Sequence, residues 1–242
     1  MHRVEHVMGM PILVDVRDDD VDERVFSDVF GWFRWVDEVF STYKADSEIS
    51  RINRGELEVA DSDPCVLTVL GICEQLRTTT DGYFDARASS PKVLDPSGLV
   101  KGWSVDRAAA ILDSAGVRRY AVNAGGDLIV RGGGWRVGIQ HPLDPGEVAK
   151  VLEIDDLAVA TSADYARGRH VVDPHTRRPP NGVLSVTITG PDLATADAYA
   201  TAAFAMGAER APHWTARLHG YEALTILAGG RVLSTPGFPG VS

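Results

Sequence analysis

Tyr120-Ala121-Val122-Asn123-Ala124-Gly125-Gly126-Asp127-Leu128-Ile129-Val130-Arg131 reads as two β-prone pieces joined by two glycines. A Gly-Gly pair between apolar, β-branched residues signals a hairpin, because glycine alone enters the required backbone conformations without strain. Further short pieces follow at 135–139, 151–154, 158–160 and 183–189, separated by Gly- and Pro-bearing turns, so a sheet fills the second half of the chain. Upstream, residues 10–17 have the composition of another strand, ended by Asp18-Asp19-Asp20. From Val21 to about Phe40 the residues Val21, Val25, Val29, Phe33, Val36 and Phe40 recur at helical spacing, with core packing expected for the neighbouring Trp32 and Trp35. A second helix is predicted over 63–76. A third is predicted from Ser104 or Val105 to Ala115, with Gly116 stopping it. Residues 194–206 form an alanine-rich helix, 211–218 a shorter one, and 223–227 with 232–233 a hairpin around Ala-Gly-Gly-Arg. No repeat or linker divides the chain. The expected fold is therefore one α+β domain over 1–242, with a mixed or antiparallel sheet core and packed helices rather than alternating βα units.

The 242 residues suffice for a sizeable core, and 24% charged residues without a low-complexity tract predict that the whole chain folds. A formal net charge of −10 argues against a nucleic-acid partner, which demands clustered Lys and Arg. A bound polyphosphate must instead be held by backbone N–H groups, helix N-termini or a divalent cation. Cys65 and Cys73, without a CxxC or Cys/His cluster, read as buried structural thiols in a reducing compartment. With no membrane segment and no signal-peptide pattern after Met1, a cytoplasmic location is expected.

Few residues suggest chemistry by spacing alone. In Asn123-Ala124-Gly125-Gly126-Asp127 a bare backbone could approach a ligand, but a plain hairpin turn explains the pattern equally well. Asp197 and Thr201 share one helix face among alanines. They are either an exposed acid beside a threonine bonded to its own backbone, or two hard oxygen donors for Mg²⁺. His170 lacks a geometric partner in the sequence, and Tyr43 reads first as a core aromatic that could instead stack on a planar ring.

Taken in order, Met8-Gly9-Met10-Pro11, Phe40-Ser41-Thr42-Tyr43-Lys44, Ser47-Glu48-Ile49-Ser50-Arg51-Ile52-Asn53, Gly82-Tyr83-Phe84-Asp85, Lys101-Gly102-Trp103-Ser104-Val105-Asp106, the Asn123–Asp127 turn, Ala160-Thr161-Ser162-Ala163-Asp164-Tyr165, His170-Val171-Val172-Asp173-Pro174 and Ala196-Asp197-Ala198-Tyr199-Ala200-Thr201-Ala202 resemble the ApbE family of FAD:protein FMN transferases. The resemblance covers most of the chain and implies a T-fold-related architecture. It implies FAD as substrate, with Tyr43 beside the isoalloxazine ring, Met8 near the flavin, and Phe84, Asp85, Asn123, Gly125, Gly126, Asp127, Thr161 and Ser162 lining the rest. It implies Mg²⁺ on Asp197 and Thr201 with a backbone carbonyl near Val100, and catalytic roles for His170 and Asp197. The implied partner is an acceptor flavoprotein whose Thr or Ser hydroxyl takes FMN from FAD, releasing AMP. Two alternatives are a Mg²⁺-dependent FAD pyrophosphatase giving FMN and AMP, and a non-catalytic FAD-binding protein. The chain departs from the family where Ala86-Arg87-Ala88-Ser89-Ser90-Pro91 shortens a loop and where Ala163 stands in Thr-Ser-Gly-Asp. It departs again where His175-Thr176-Arg177-Arg178-Pro179 replaces the usual Arg-Thr-Gly-Arg-Pro, and fewer residues than in many relatives separate Tyr165 from His170.

Overall fold

Alternating burial along Met10–Val16 puts Met10, Ile12, Val14 and Val16 on the core side of one strand, and the sheet grows outward from it. A computed structural model describes residues 1–88, 90–144, 146–163 and 171–240. The strands are β1 (His2–Val7), β2 (Met10–Val16), β3 (Tyr120–Ala124), β4 (Asp127–Arg131), β5 (Trp135–Gln140), β6 (Val148–Ile154), β7 (Ala158–Ala163), β8 (Val183–Gly190), β9 (Glu222–Leu227) and β10 (Val232–Ser234). Eight of them form one sheet in the order β1-β2-β3-β4-β7-β8-β9-β10, while β5 and β6 pair as a separate hairpin. Every pairing is antiparallel, which settles the mixed-or-antiparallel alternative.

The helices are α1 (Arg24–Phe40), α2 (Glu48–Asn53), α3 (Pro64–Thr79), α4 (Ser97–Ser114) and α5 (Leu193–Thr215). Helix α1 buries Val25, Val29, Phe33, Val36 and Phe40 of the expected stripe and adds Phe26 and Phe30, while Val21 lies before its first turn. These side chains join α4, α5 and one sheet face in the main core. On the opposite face the β5–β6 hairpin covers a second cluster in which Trp135, Ile139, Leu152 and Ile154 meet Leu128, Val130, Val159 and Leu224. Trp32 and Trp35 stack at 5.0 Å between centroids and stay half-buried, beside Trp103. Among the described residues no helix is long and apolar enough to cross a membrane.

Three boundaries differ from expectation for physical reasons. Strand β1 was not expected because it is an exposed edge with little alternation. It turns into β2 through Met8 (φ 57) and Gly9 (φ 72). Helix α2 is only six residues, too short for a period, and is fixed by the Ser47 hydroxyl accepting the Ser50 N–H at 3.0 Å. The two C-terminal helices are separate, as expected: α5 kinks between them at Gly207 (φ 71, ψ −177). Helix α4 begins at Ser97, well before Ser104, since Gly102 inside it masks the helical signal.

Gly102 has its own explanation. A β-carbon there would lie 2.4 Å from the Leu193 carbonyl oxygen, so α4 and α5 cross backbone to backbone. One turn along α4, the Asp106 carboxylate accepts the Leu193 and Ala194 N–H groups, each at 2.8 Å, and caps α5 from outside. We expect Gly102→Ala to destabilise the protein by about 1–3 kcal/mol or more, because two helix backbones must move apart. Chemical denaturation of both proteins checks this; an unchanged midpoint would show that the crossing is loose. Of the two cysteines, Cys73 is buried, and burial pushes its thiol up to about 12, whereas Cys65 is only half-buried, contrary to expectation.

Candidate active site

The crossing of α4 and α5 sets the site. Lys101 precedes the contact glycine, and Asp197 lies one turn into α5, so both converge where β4 begins. The Lys101 ammonium is ion-paired with Asp127 and stands 3.4 Å from Asp197 Oδ1. Asp127 Oδ1 accepts the Thr161 N–H of β7 at 2.8 Å, which ties the Gly-Gly-Asp turn to the neighbouring strand. Ser162 and Thr201 face each other with their hydroxyl oxygens 3.3 Å apart. Asp197 is 3% exposed and Asp127 2%, so the reading of Asp197 as an exposed acid is wrong. The flanking alanines are small enough for α5 to lie tight against the sheet and α4.

Two buried carboxylates share one ammonium here. Burial pushes the Asp197 carboxyl up to about 7; the Lys101 ammonium pulls it down and Asp127 pushes it up further. Among the described residues, Asp197 Oδ2 accepts no hydrogen bond and Asp127 Oδ2 meets only the Lys101 ammonium. A buried carboxylate oxygen without a donor marks a place for a cation. Carboxylate and hydroxyl oxygens are the hard donors that Mg²⁺ prefers. Among the described residues no three His, Cys, Asp or Glu side chains gather as a metal cage. A metal at this site would thus draw ligands from substrate phosphates as well, the usual arrangement for Mg²⁺. Val100 is 3% exposed in the first turn of α4, where its carbonyl belongs to the helix ladder and has only a second lone pair to offer.

The remaining residues from the sequence reading are spread around this cluster. Met8 lies near it, with Sδ 3.9 Å from Ser104 Oγ, which donates to the Lys101 carbonyl. Gly125 (φ 61) and Gly126 (φ 104) form the β3–β4 turn, as the hairpin reading of that segment has it. A side chain at Gly125 would meet Met10 Sδ at 3.0 Å, and Asn123 Oδ1 accepts the Gly126 N–H at 3.0 Å. Phe84 is a core residue, 3% exposed, packed beneath Gly98 in the first turn of α4. Asp85 makes no hydrogen bond or ion pair to the carboxylate cluster and accepts the Arg87 N–H instead. Tyr43 is 99% exposed, so the reading of it as a core aromatic is wrong. The loop displaying it is pinned where the Ser47 and Ser50 hydroxyls both donate to the Ser41 carbonyl. His170 lies outside the described residues. Lys101 was missed as a charged partner; its signal was a lone cation in the apolar run Leu99-Val100-Lys101-Gly102-Trp103.

Fold and site together define an α+β protein with two buried carboxylates that share a lysine ammonium where β4 of the antiparallel sheet begins. The ApbE family model matches residues 8–91 and 88–225, and the chain belongs to the ApbE family. A FAD:protein FMN transferase of Rhodobacter capsulatus is 34% identical over 192 residues, 74% of this chain and 37% of the relative. One of Vibrio cholerae is 39% identical over 132 residues, 48% of this chain and 40% of the relative. The chain thus matches less than half the length of these curated relatives. Among solved structures, the flavin transferase ApbE from Vibrio cholerae superposes with a TM-score of 0.87 at 25% identity, covering 98% of this chain and 97% of that one. The ApbE protein from Thermotoga maritima, at 22% identity, shares the fold with a TM-score of 0.88 over 98% of this chain and 97% of that one.

Proposed function

We propose that this chain binds FAD with Mg²⁺ and transfers the FMN half to a threonine or serine hydroxyl of an acceptor flavoprotein, releasing AMP. The observation that carries the reading is the unpartnered Asp197 Oδ2 in a buried cluster with Asp127, Thr201 and Lys101, in a chain whose relatives are named FAD:protein FMN transferases. In the reaction, the acceptor oxygen bonds to the phosphorus on the FMN side, the bond to the AMP oxygen breaks, and the acceptor proton is lost. Mg²⁺, when bound, supplies charge neutralisation at the pyrophosphate. Asp197 and Thr201 would hold it. Asp127 anchors the Lys101 ammonium, which is placed to neutralise phosphate oxygens and the charge that builds on AMP. Burial strengthens each of these interactions, since the cluster exposes little to water.

The direct test incubates the protein with FAD, Mg²⁺ and a candidate FMN-binding domain. The expected result is a mass gain of one FMN on the acceptor with equimolar AMP. Free FMN and AMP without that gain would establish the hydrolase instead, and FAD binding without AMP would leave only a binder.

Tyr43 gives an independent check on the flavin end of this reading. A fully exposed aromatic contributes little to the core, so Tyr43→Ala should melt like the wild type without ligand. With ring stacking lost, FAD affinity should fall roughly ten- to a hundredfold. Calorimetry with both proteins decides it; unchanged affinity would remove Tyr43 from the flavin site.

A further inference from the structure

A cleft of about 460 Å³ opens between α3, the shortened loop after Asp85 and the turn after Val171. Its charged lining is Glu74, Arg77, Asp85, Arg87 and Arg177, and Leu70 and Leu94 give it an apolar side. Three guanidiniums thus face two carboxylates, in a protein whose formal net charge is −10.

The guanidiniums are not equally committed. Arg77 is spent on Glu74 through a two-pronged pair at 2.9 and 2.7 Å. Among the described residues the Arg87 guanidinium makes only a 3.4 Å contact from Nη1 to the Pro91 carbonyl. The Arg177 guanidinium is exposed and makes no hydrogen bond or ion pair among the described residues. Arg177 also holds φ at 55°, in the left-handed region that favours glycine. The turn itself is firmly built. Arg177 N–H donates to the Asp173 carbonyl at 2.7 Å, Thr176 Oγ1 to Asp173 Oδ2 at 2.9 Å, and the His175 ring meets the Asp81 carbonyl at 3.0 Å. The chain therefore keeps a β-carbon in a strained conformation and places a free guanidinium on the cleft.

The walls of the cleft reach the start of α4, the helix that carries Lys101. Phe84, next to Asp85, packs under the first turn of α4, and Leu94 is clamped to Asn53 by bonds of 2.9 and 2.7 Å just before that helix begins. We propose that the cleft docks an acidic segment of the acceptor protein, flanking the hydroxyl to be modified, through Arg87 and Arg177. This rests on the transferase reading. Uncommitted guanidinium donors suit carboxylates, and the intervening Leu70 and Leu94 suit the apolar stems of an extended peptide. A local cationic patch also offsets the repulsion that an acidic acceptor would meet from the rest of this acidic protein.

The test uses two dye-labelled peptides, each with a central threonine, one with aspartates just before it and one with asparagines instead. They are titrated into the full chain with FAD and Mg²⁺, by anisotropy for binding and by mass for FMN gain. The aspartate peptide should bind the wild type about five- to tenfold more tightly, and Arg87→Gln with Arg177→Gly should abolish that preference. FAD affinity should not change, and Arg177→Gly alone should melt at or above the wild-type temperature, because glycine relieves the turn. Equal binding of both peptides by the wild type, or a preference that survives in the double variant, would overturn the proposal. Weakened FAD binding in the double variant would overturn it too, by giving the cleft to FAD. A charge-dependent preference without any FMN gain would keep the cleft as an acidic-peptide site while sinking the transferase reading.

Discussion

Asp197→Ala is expected to lose Mg²⁺-dependent AMP release by about a thousandfold or more while remaining folded. The carboxylate is the one formal charge that α5 contributes to the cluster, and among the described residues its Oδ2 is a buried oxygen that accepts no hydrogen bond. Losing several kcal/mol of charge stabilisation at the phosphate gives a rate effect of that order. Folding should survive because Lys101 keeps Asp127 as its partner, so no ion is stranded. The metal-free protein gives a second, independent readout. Folding raises the Asp197 carboxyl from its ordinary value near 3.8 to about 7, so the native state binds the proton more tightly than the unfolded chain does. Wild-type stability is therefore fully relieved of this burden below pH 4 and declines as pH climbs toward 7. Without the carboxyl, the variant should gain on the wild type across that window. Parallel melts at pH 4.5 and 7.5, beside the AMP assay at saturating Mg²⁺, measure both effects. Wild-type turnover by the variant would remove Asp197 from the metal site.

The α+β reading was available because the features behind it are local. Gly125-Gly126 between β-branched pieces and the stripe from Val25 to Phe40 each act within one element. Helix α4 was misplaced because its first turns are held by a neighbour: Gly102 is unfavourable in a lone helix and necessary against the Leu193 backbone. The site divides along the same line. The spacing of Asp197 and Thr201 showed that they share a face, but not whether that face was wet. Burial came from alanines packing on β7 and β8, a tertiary fact. Tyr43 was legible only through the resemblance, since on spacing alone an aromatic after an amphipathic helix reads as core until the loop that exposes it is known. Lys101 went unread because its partners come from β4 and α5, 26 and 96 residues further along the chain.

That placement makes Lys101→Met the substitution with the largest expected effect on stability. Methionine matches the lysine stem in length and tolerates the same half-buried path, so the packing change is small. The electrostatic change is large. Asp127 and Asp197, with side chains 3% and 5% exposed, would face each other without a counter-charge. Removing one partner from a buried ion cluster typically costs about 3–5 kcal/mol, and part of that would be escaped by Asp197 holding its proton. A divalent cation can stand between the same two carboxylates, so Mg²⁺ should return a larger share of stability to the variant than it adds to the wild type. Chemical denaturation with EDTA and with excess Mg²⁺, on both proteins, gives the four values needed. An equal Mg²⁺ increment in the two proteins would mean that the ion does not enter the space Lys101 left. A variant as stable as the wild type in EDTA would mean that the ammonium is not what holds the two acids together.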